Sequence, residues 1–133
     1  MGRFVLIVDD DSDDRDFFCE ALHEIDQTTQ CVCAKNGQEA LEMLKSKKVL
    51  PDYIFMDLNM PRLGGIQCLN AIKQNKNLSD IPVVIFSTTK QYEEAEKTKQ
   101  LGAVLFLTKP PTYTELVRKL SLVLSQPIAL SKA

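Results

Sequence analysis

Apolar residues along the chain change their period in a regular way. Phe4–Val8 reads FVLIV, an unbroken apolar run rich in β-branched residues, which predicts a buried strand. Ser12–Ile25 then carries Phe18, Ala21, Leu22 and Ile25 at helical spacing. Cys31–Ala34 predicts a short strand. Asn36 and Gly37 punctuate the chain, and Asn36 can cap a helix marked by Ala40, Leu41 and Leu44. Pro51 and Asp52 break the chain before a third strand, Tyr53–Met56. Asp57 and the turn-rich LNMPRLGG lead into a helix with Ile66, Leu69 and Ile72 on one face. Pro82 opens a fourth strand, Val83–Phe86, followed by Ser87-Thr88-Thr89. A polar helix runs from Gln91 to Gln100 and stops at Gly102. Its apolar members are Ala95 and Tyr92, so it reads either as a weakly anchored, mobile or partner-binding element or as a helix at the sheet's exposed edge. Val104–Leu107 predicts the last strand. Lys109-Pro110-Pro111 precedes a helix with Leu116, Leu120, Val123 and Leu124, and Pro111 suits its first position.

Strand and helix thus alternate through five repeats. That alternation implies an α/β fold, doubly wound, with a parallel sheet between two helical layers. No linker or low-complexity segment interrupts it. One domain is expected over residues 1–126, followed by a loose tail over 127–133.

Composition narrows the function classes. The chain has 133 residues, 44% hydrophobic and 26% charged, as expected of one soluble domain with an ordinary core. A net charge of −2 gives no case for nucleic-acid binding by this chain alone. No apolar run is long enough for a membrane span. The N-terminus lacks a secretory cleavage site and a myristoylation signal, so a cytoplasmic location is expected. The cysteines are Cys19, Cys31, Cys33 and Cys68, with one histidine, His23, and no C-x-x-C spacing. A zinc site is therefore not expected, and the cysteines read as reduced thiols serving as small core hydrophobes. His23 reads as a surface or boundary residue.

The stretch from Val8 to Glu20, VDDDSDDRDFFCE, crowds six aspartates at the mouth of the first strand. Like charges so close repel and resist losing their water. Asp9, Asp11, Asp13 and Glu20 fall at the first, third, fifth and twelfth places of an EF-hand loop. The sixth place requires glycine and holds Asp14, and a strand stands where a helix should precede the loop. The EF-hand reading fails on both counts.

In parallel α/β sheets, ligands bind beyond the carboxyl ends of the strands. Asp9 and Asp10 follow the first strand, Asp57 the third, Ser87 and Thr88 the fourth, Lys109 and Pro110 the fifth. Three carboxylates, a hydroxyl and an ammonium converge there. The donors are hard oxygens, which suit Mg²⁺ or Mn²⁺. A divalent ion, a hydroxyl donor and a lysine together suit a phosphoryl group, whose charge spreads over several oxygens. Taken singly, Asp9 or Asp10 could cap a helix, Ser87 could be a turn residue and Lys109 a solvated lysine. Their joint placement at strand ends favours the site.

The segments FVLIVDDD, IFMDLNMPRLGG, VVIFSTT and FLTKPP resemble, in order and spacing, the signature segments of the response regulator receiver domain, the CheY-like family of two-component signalling. The resemblance covers about residues 3 to 125. It implies a flavodoxin-like (βα)5 three-layer sandwich with strand order 2-1-3-4-5. It implies that Asp57 is the phosphoacceptor, taking a phosphoryl group from a phosphohistidine on a sensor histidine kinase or histidine phosphotransfer protein. Asp10 and Asp57, with the backbone carbonyl of Asn59, would bind Mg²⁺ directly, and Asp9 mostly through water. Lys109 would pair with Asp57 and then with a phosphoryl oxygen. Ser87 would turn inward to the phosphate, and Phe106 would follow it as the aromatic switch. The Lys109–Pro110 bond would be cis, as it often is in the family, the trans preference before proline being only about 0.5–1 kcal/mol. Thr88 departs from the small residue usual at that position and could narrow access to Asp57.

Asp11, Asp13 and Asp14 are not needed for this site. Asp11 or Ser12 would cap the first helix, and the rest would be acidic first turn and solvated surface. The resemblance implies a switch that catalyses only its own phosphorylation and slow dephosphorylation, acting on a separate downstream protein through the fourth helix, fifth strand and last helix. Its expected state is monomer or phosphorylation-dependent dimer. A haloacid-dehalogenase-type phosphatase fits VDDD and VIFST loosely, but would use Asp9 as nucleophile and needs later paired acids that are absent after Lys109. An interaction module without phosphorylation is a third reading, opposed by the intact acid, hydroxyl and lysine set.

Overall fold

A computed structural model describes residues 3–46, 50–88 and 92–125. The elements, in chain order, are β1 (Phe4–Val8), α1 (Ser12–Ile25), β2 (Gln30–Ala34), α2 (Gly37–Lys45), β3 (Tyr53–Met56), α3 (Gly65–Gln74), β4 (Val83–Ser87), α4 (Tyr92–Gln100), β5 (Leu105–Thr108) and α5 (Tyr113–Ser125). The sheet is parallel, in the order β2-β1-β3-β4-β5. This is the doubly wound fold with the strand order that the resemblance implied.

Side-chain alternation along the strands divides the core in two. Leu6, Val8, Ile54, Met56 and Ile85 face α2 and α3, packing on Ala40, Leu44, Leu69 and Ile72. Val5, Ile7, Phe55, Val84 and Phe86 face α1 and α5, packing on Phe18, Leu22, Leu120 and Leu124. Burying a leucine, isoleucine or phenylalanine side chain stabilises by roughly 1.5–3 kcal/mol, so these two layers dominate the folding free energy. Phe18 packs against the rings of Phe55 and Phe86, at centroid distances of 4.9 and 5.6 Å.

Local signals set the helix ends. Asp11 caps α1, its carboxylate accepting from the amides of Asp13 and Asp14. Asn36 caps α2 by accepting from Glu39 N, while Glu39 reaches back to the amide of Lys35. Gly102, at φ +110, ends α4: its amide bonds Lys99 O, and the Ala103 amide bonds Thr98 O. That is the paired pattern of a Schellman stop, which a residue with a Cβ adopts poorly.

Three expectations are corrected. Pro111 does not start the last helix. Thr112 caps it instead, its hydroxyl accepting from Glu115 N, which leaves Pro111 just outside. The fifth strand begins at Leu105 rather than Val104. Among the described residues no peptide bond is cis, so Lys109–Pro110 is trans, the form that X–Pro bonds adopt by default. Gln91, the Tyr92 side chain and the tail 127–133 lie outside the described residues.

The cysteines also differ from expectation. Cys68 is a buried core thiol, pushed up to about 12 by burial. Cys19 and Cys31, however, are joined in a disulfide, and Cys33 is exposed. The parallel pairing of β1 and β2 brings the Cys31 face of β2 under α1, within bonding reach of Cys19. His23 is exposed, as expected of a surface residue, with its ring against the Thr29 carbonyl at 2.9 Å. No helix of the described residues is long and apolar enough to cross a membrane.

Candidate phosphoacceptor and metal site

The carboxyl edge of the sheet assembles the site from separate strand ends. The Asp57 amide donates to Val8 O at 3.0 Å, which locks the residue after β3 against the end of β1. The Lys109 amide donates to Ser87 O at 2.8 Å, which locks β5 to the end of β4 in the same way. Gly65 permits the return of the chain: a Cβ there would collide with the Asp57 carbonyl, and the Gly65 amide bonds Leu58 O. Only glycine allows α3 to start so close beneath Asp57.

Asp9, Asp10 and Asp57 form a cluster in which one carboxylate oxygen from each lies within 4.8 Å of the other two. Asp9 and Ser87 are 0% exposed and Asp57 7%, while Asp10 is exposed. The site is thus a pocket with one open carboxylate at its rim. Asp9 uses both oxygens within the protein: Oδ1 accepts from Asp11 N at 3.0 Å, and Oδ2 from Lys109 Nζ at 2.7 Å. Burial raises the Asp9 carboxyl above its ordinary range and the nearby Asp57 charge adds to this, against the hydrogen bonds from Lys109 and Asp11. The Arg15 guanidinium donates to the Asp9 carbonyl at 2.8 Å, fixing the backbone there.

Lys109 is the cation of the pocket. Its ammonium bonds Asp9 Oδ2 at 2.7 Å, Asp14 Oδ2 at 2.8 Å and Asp57 Oδ2 at 3.4 Å. It also lies 5.8 Å from the centre of the Phe86 ring. Burial alone would favour the neutral amine, but the hydrogen bonds to Asp14 and Asp9 and the charge of Asp57 outweigh it. Lys109 therefore titrates above its ordinary range.

Asp9, Asp10 and Asp57 lie together, Lys109 reaches Asp9 and Asp57, and buried Ser87 stands at the neighbouring strand end. Asn59 is exposed, just past Asp57 on the loop. Phe106 is half-buried and lines a cleft of about 210 Å³ between α4 and β5, with Ala95, Thr98 and Lys99. Thr88 is exposed beyond Ser87. Asp14 is the correction: expected as solvated surface, it is a partner of Lys109. The sequence carried a signal for this, because Asp14 stands four residues before buried Phe18 and so shares the inward face of α1. Asp14 and Lys109 also form the polar side of a cleft of about 330 Å³ walled by Phe17, Phe86, Pro110 and Tyr113.

The donors present are hard oxygens with one buried and one open carboxylate beside Asp57, a set that fits a hard divalent cation. The EF-hand alternative finds no support, since β1 precedes the acids and Asp11 serves as a helix cap.

Comparison with known proteins agrees with this geometry. The family model for "Response regulator receiver domain" matches residues 5–121. A protein-glutamate methylesterase/protein-glutamine glutaminase of Syntrophomonas wolfei is 40% identical over 108 residues, 80% of this chain and 29% of its own length. Among solved structures, the phosphorylated cyanobacterial phytochrome response regulator RcpA superposes with a TM-score of 0.86 at 26% identity, covering 92% of this chain and 91% of that one. Response regulator Rcp1 in its Mn(2+)-bound form gives a TM-score of 0.83 at 25% identity, covering 98% of this chain and 96% of that one. The chain spans 22% to 57% of the length of the curated relatives it matches.

Proposed function

The chain belongs to the response regulator receiver domain family, and from that premise we propose that it is a phosphorylation-activated switch of a two-component phosphorelay with Asp57 as phosphoacceptor. The observation that carries the reading is the setting of Asp57: a nearly buried carboxylate within 4.8 Å of two others and 3.4 Å from a lysine ammonium.

An Asp57 carboxylate oxygen attacks the phosphorus of a phosphohistidine. The nitrogen–phosphorus bond breaks, its electron pair stays on the imidazole, and an acyl phosphate forms. Lys109 already touches Asp57 and turns from it to a phosphoryl oxygen, where a charge-assisted hydrogen bond is strong. The Ser87 hydroxyl, at the adjacent strand end, donates to another phosphoryl oxygen. Phe106 follows inward and changes the α4–β5 cleft. Without a hydroxyl, Phe106 holds its inward position by packing alone.

Asp10, Asp57 and the Asn59 carbonyl are the groups that would hold Mg²⁺, which supplies neutralisation of the phosphoryl charge. Asp9, with both oxygens already accepting hydrogen bonds, would act through water. The Mn(2+)-bound form of the similar Rcp1 supports this assignment.

The phosphodonor is a sensor histidine kinase or a histidine phosphotransfer protein. The output passes to a separate protein across α4, β5 and α5, and the chain itself performs no chemistry beyond gaining and losing its phosphoryl group. The switch works in the cytoplasm as a monomer or a phosphorylation-dependent dimer, with residues 1–126 as the receiver domain and 127–133 as a tail.

The test is intact mass after incubation with Mg²⁺ and a phosphorylated histidine protein. One phosphoryl adduct is expected, absent in Asp57→Asn and absent when EDTA removes the metal. An adduct that persists in Asp57→Asn but disappears in Asp9→Asn would overturn the receiver reading in favour of phosphatase chemistry. No adduct from any donor would leave the interaction module.

A further inference from the structure

Three of the four cysteines meet on one side of the sheet, and none of them is a group that the phosphoryl reading uses. Cys31 and Cys33 are two residues apart on β2, so both point toward α1. Cys19, on α1, lies above them. It is bonded to Cys31 across a Cα–Cα distance of 5.8 Å, within the span that disulfides use. The sulfur of Cys33 lies 3.8 Å from the same Cys19 sulfur. One sulfur therefore bonds one partner and touches the next. Cys33 is exposed, whereas Cys19 and Cys31 are half-buried. Cys68 takes no part, being buried on the opposite face of the sheet.

We propose that Cys19, Cys31 and Cys33 form a thiol–disulfide exchange site whose external substrate is a low-molecular-weight thiol and its disulfide. Cys19 is the shared central sulfur and Cys33 the entry thiol.

The internal step is an isomerisation without net redox change. The Cys33 thiolate attacks the Cys19 sulfur, a Cys33–Cys19 bond forms, the Cys19–Cys31 bond breaks, and Cys31 leaves as thiolate. The link now ends at an exposed sulfur. An external thiolate attacks Cys33, giving a mixed disulfide and releasing the Cys19 thiolate. A second external thiol completes the reduction. Two external thiols thus lose two electrons and become one disulfide, while the protein gains two thiols. Oxidation runs the same steps backwards, with the external disulfide as oxidant.

The setting governs the rate. Burial raises the Cys33 thiol above its ordinary value, and Asp16 and Glu39 work in the same direction, against Arg15. Thiolate is scarce at neutral pH, so exchange is slow rather than catalytic in pace. The move from Cys31 to Cys33 shifts the tie between α1 and β2 by two residues, roughly 6.6 Å along the strand.

The test equilibrates the full chain in mixtures of reduced and oxidised glutathione, quenches with acid and alkylates the free thiols. Fragment-ion sequencing after cleavage then shows which cysteine carries the alkyl group. Two isomers are expected, one alkylated at Cys33 and one at Cys31. Cys31→Ser should form the Cys19–Cys33 link. Cys33→Ser should slow opening of the Cys19–Cys31 bond by glutathione about tenfold, with its thermal midpoint unchanged. Alkylation of Cys33 in every wild-type molecule, with no Cys19–Cys33 link in Cys31→Ser, would overturn the proposal. So would an unchanged opening rate in Cys33→Ser, or alkylation of Cys19, Cys31 and Cys33 together at every glutathione ratio. None of these readouts depends on phosphorylation.

Discussion

The Lys109 ammonium sits closer to Asp14, at 2.8 Å, than to Asp57, at 3.4 Å. The lysine is shared between α1 and Asp57, and under the proposed mechanism phosphorylation would have to draw it away from α1. Asp14→Asn removes the competing charge. Phosphorylation by a small donor is expected to become about two- to fivefold faster, a modest effect because Asp14 is partly solvated and such a pair contributes about 0.5–1 kcal/mol. Rates of adduct formation at fixed Mg²⁺ decide the point. A slower variant would mean that Asp14 presents Lys109 to the phosphate rather than withholding it.

Thr88 stands exposed directly after buried Ser87. A branched side chain at this place would narrow an approach to Asp57 more than a smaller residue would. Thr88→Ala should accelerate phosphorylation by acetyl phosphate several-fold, on the order of 1 kcal/mol in the barrier. An unchanged rate would show that the approach is open despite the branch.

Alkaline unfolding should report two lysines with opposite signs. Lys109 is raised above 10.5 in the folded state, so its contribution is complete below that pH and fades as pH climbs through the folded value. Lys73 donates to the carbonyls of Ser79 and Ile81, and burial lowers it below 10.5. It releases its proton first in the folded state, so the stability linked to it grows as pH rises toward 10.5. Urea midpoints followed from about pH 8 upward should lose this early rise in Lys73→Met and the later fall in Lys109→Gln. Tyr113, pushed up to about 12 mainly by burial and also by its bond to Glu24, falls with the same sign as Lys109. The comparison of variant with wild type separates the two.

Arg62 adopts φ +60, a left-handed conformation that costs an ordinary side chain energy. Asparagine tolerates that region better. Arg62→Asn is expected to raise the unfolding free energy by about 0.5–1 kcal/mol with an unchanged denaturant slope. A lower midpoint would mean that the Arg62 side chain contributes contacts that exceed the backbone strain.

How far the chain could be read in advance depended on the physics involved. The strands Phe4–Val8 and Tyr53–Met56 were legible to the residue and the helix near Ser12–Ile25 in its place, because burial on one or both faces imposes a period on the sequence. Placing acids, hydroxyl and lysine at successive strand ends then followed from parallel topology. The start of β5 was off by one residue, because Val104 is as apolar as its neighbours and pairing alone sets the boundary. Asp14 was misread because a run of aspartates looks uniformly solvated until helix phase is applied to it. The Cys19–Cys31 bond was out of reach, since pairing depends on which strand lies under which helix and not on spacing.

Thr98 is the one α4 residue buried among those described, and its hydroxyl turns back to the Ala95 carbonyl at 3.1 Å. A helix whose innermost side chain is polar gains little from contact with the sheet. In deuterium exchange, the amides of α4 should label well before those of α1 and α5. The segment nearest the Phe106 cleft would then be the first cooperative unit of the molecule to open, at a free-energy cost far below that of global unfolding.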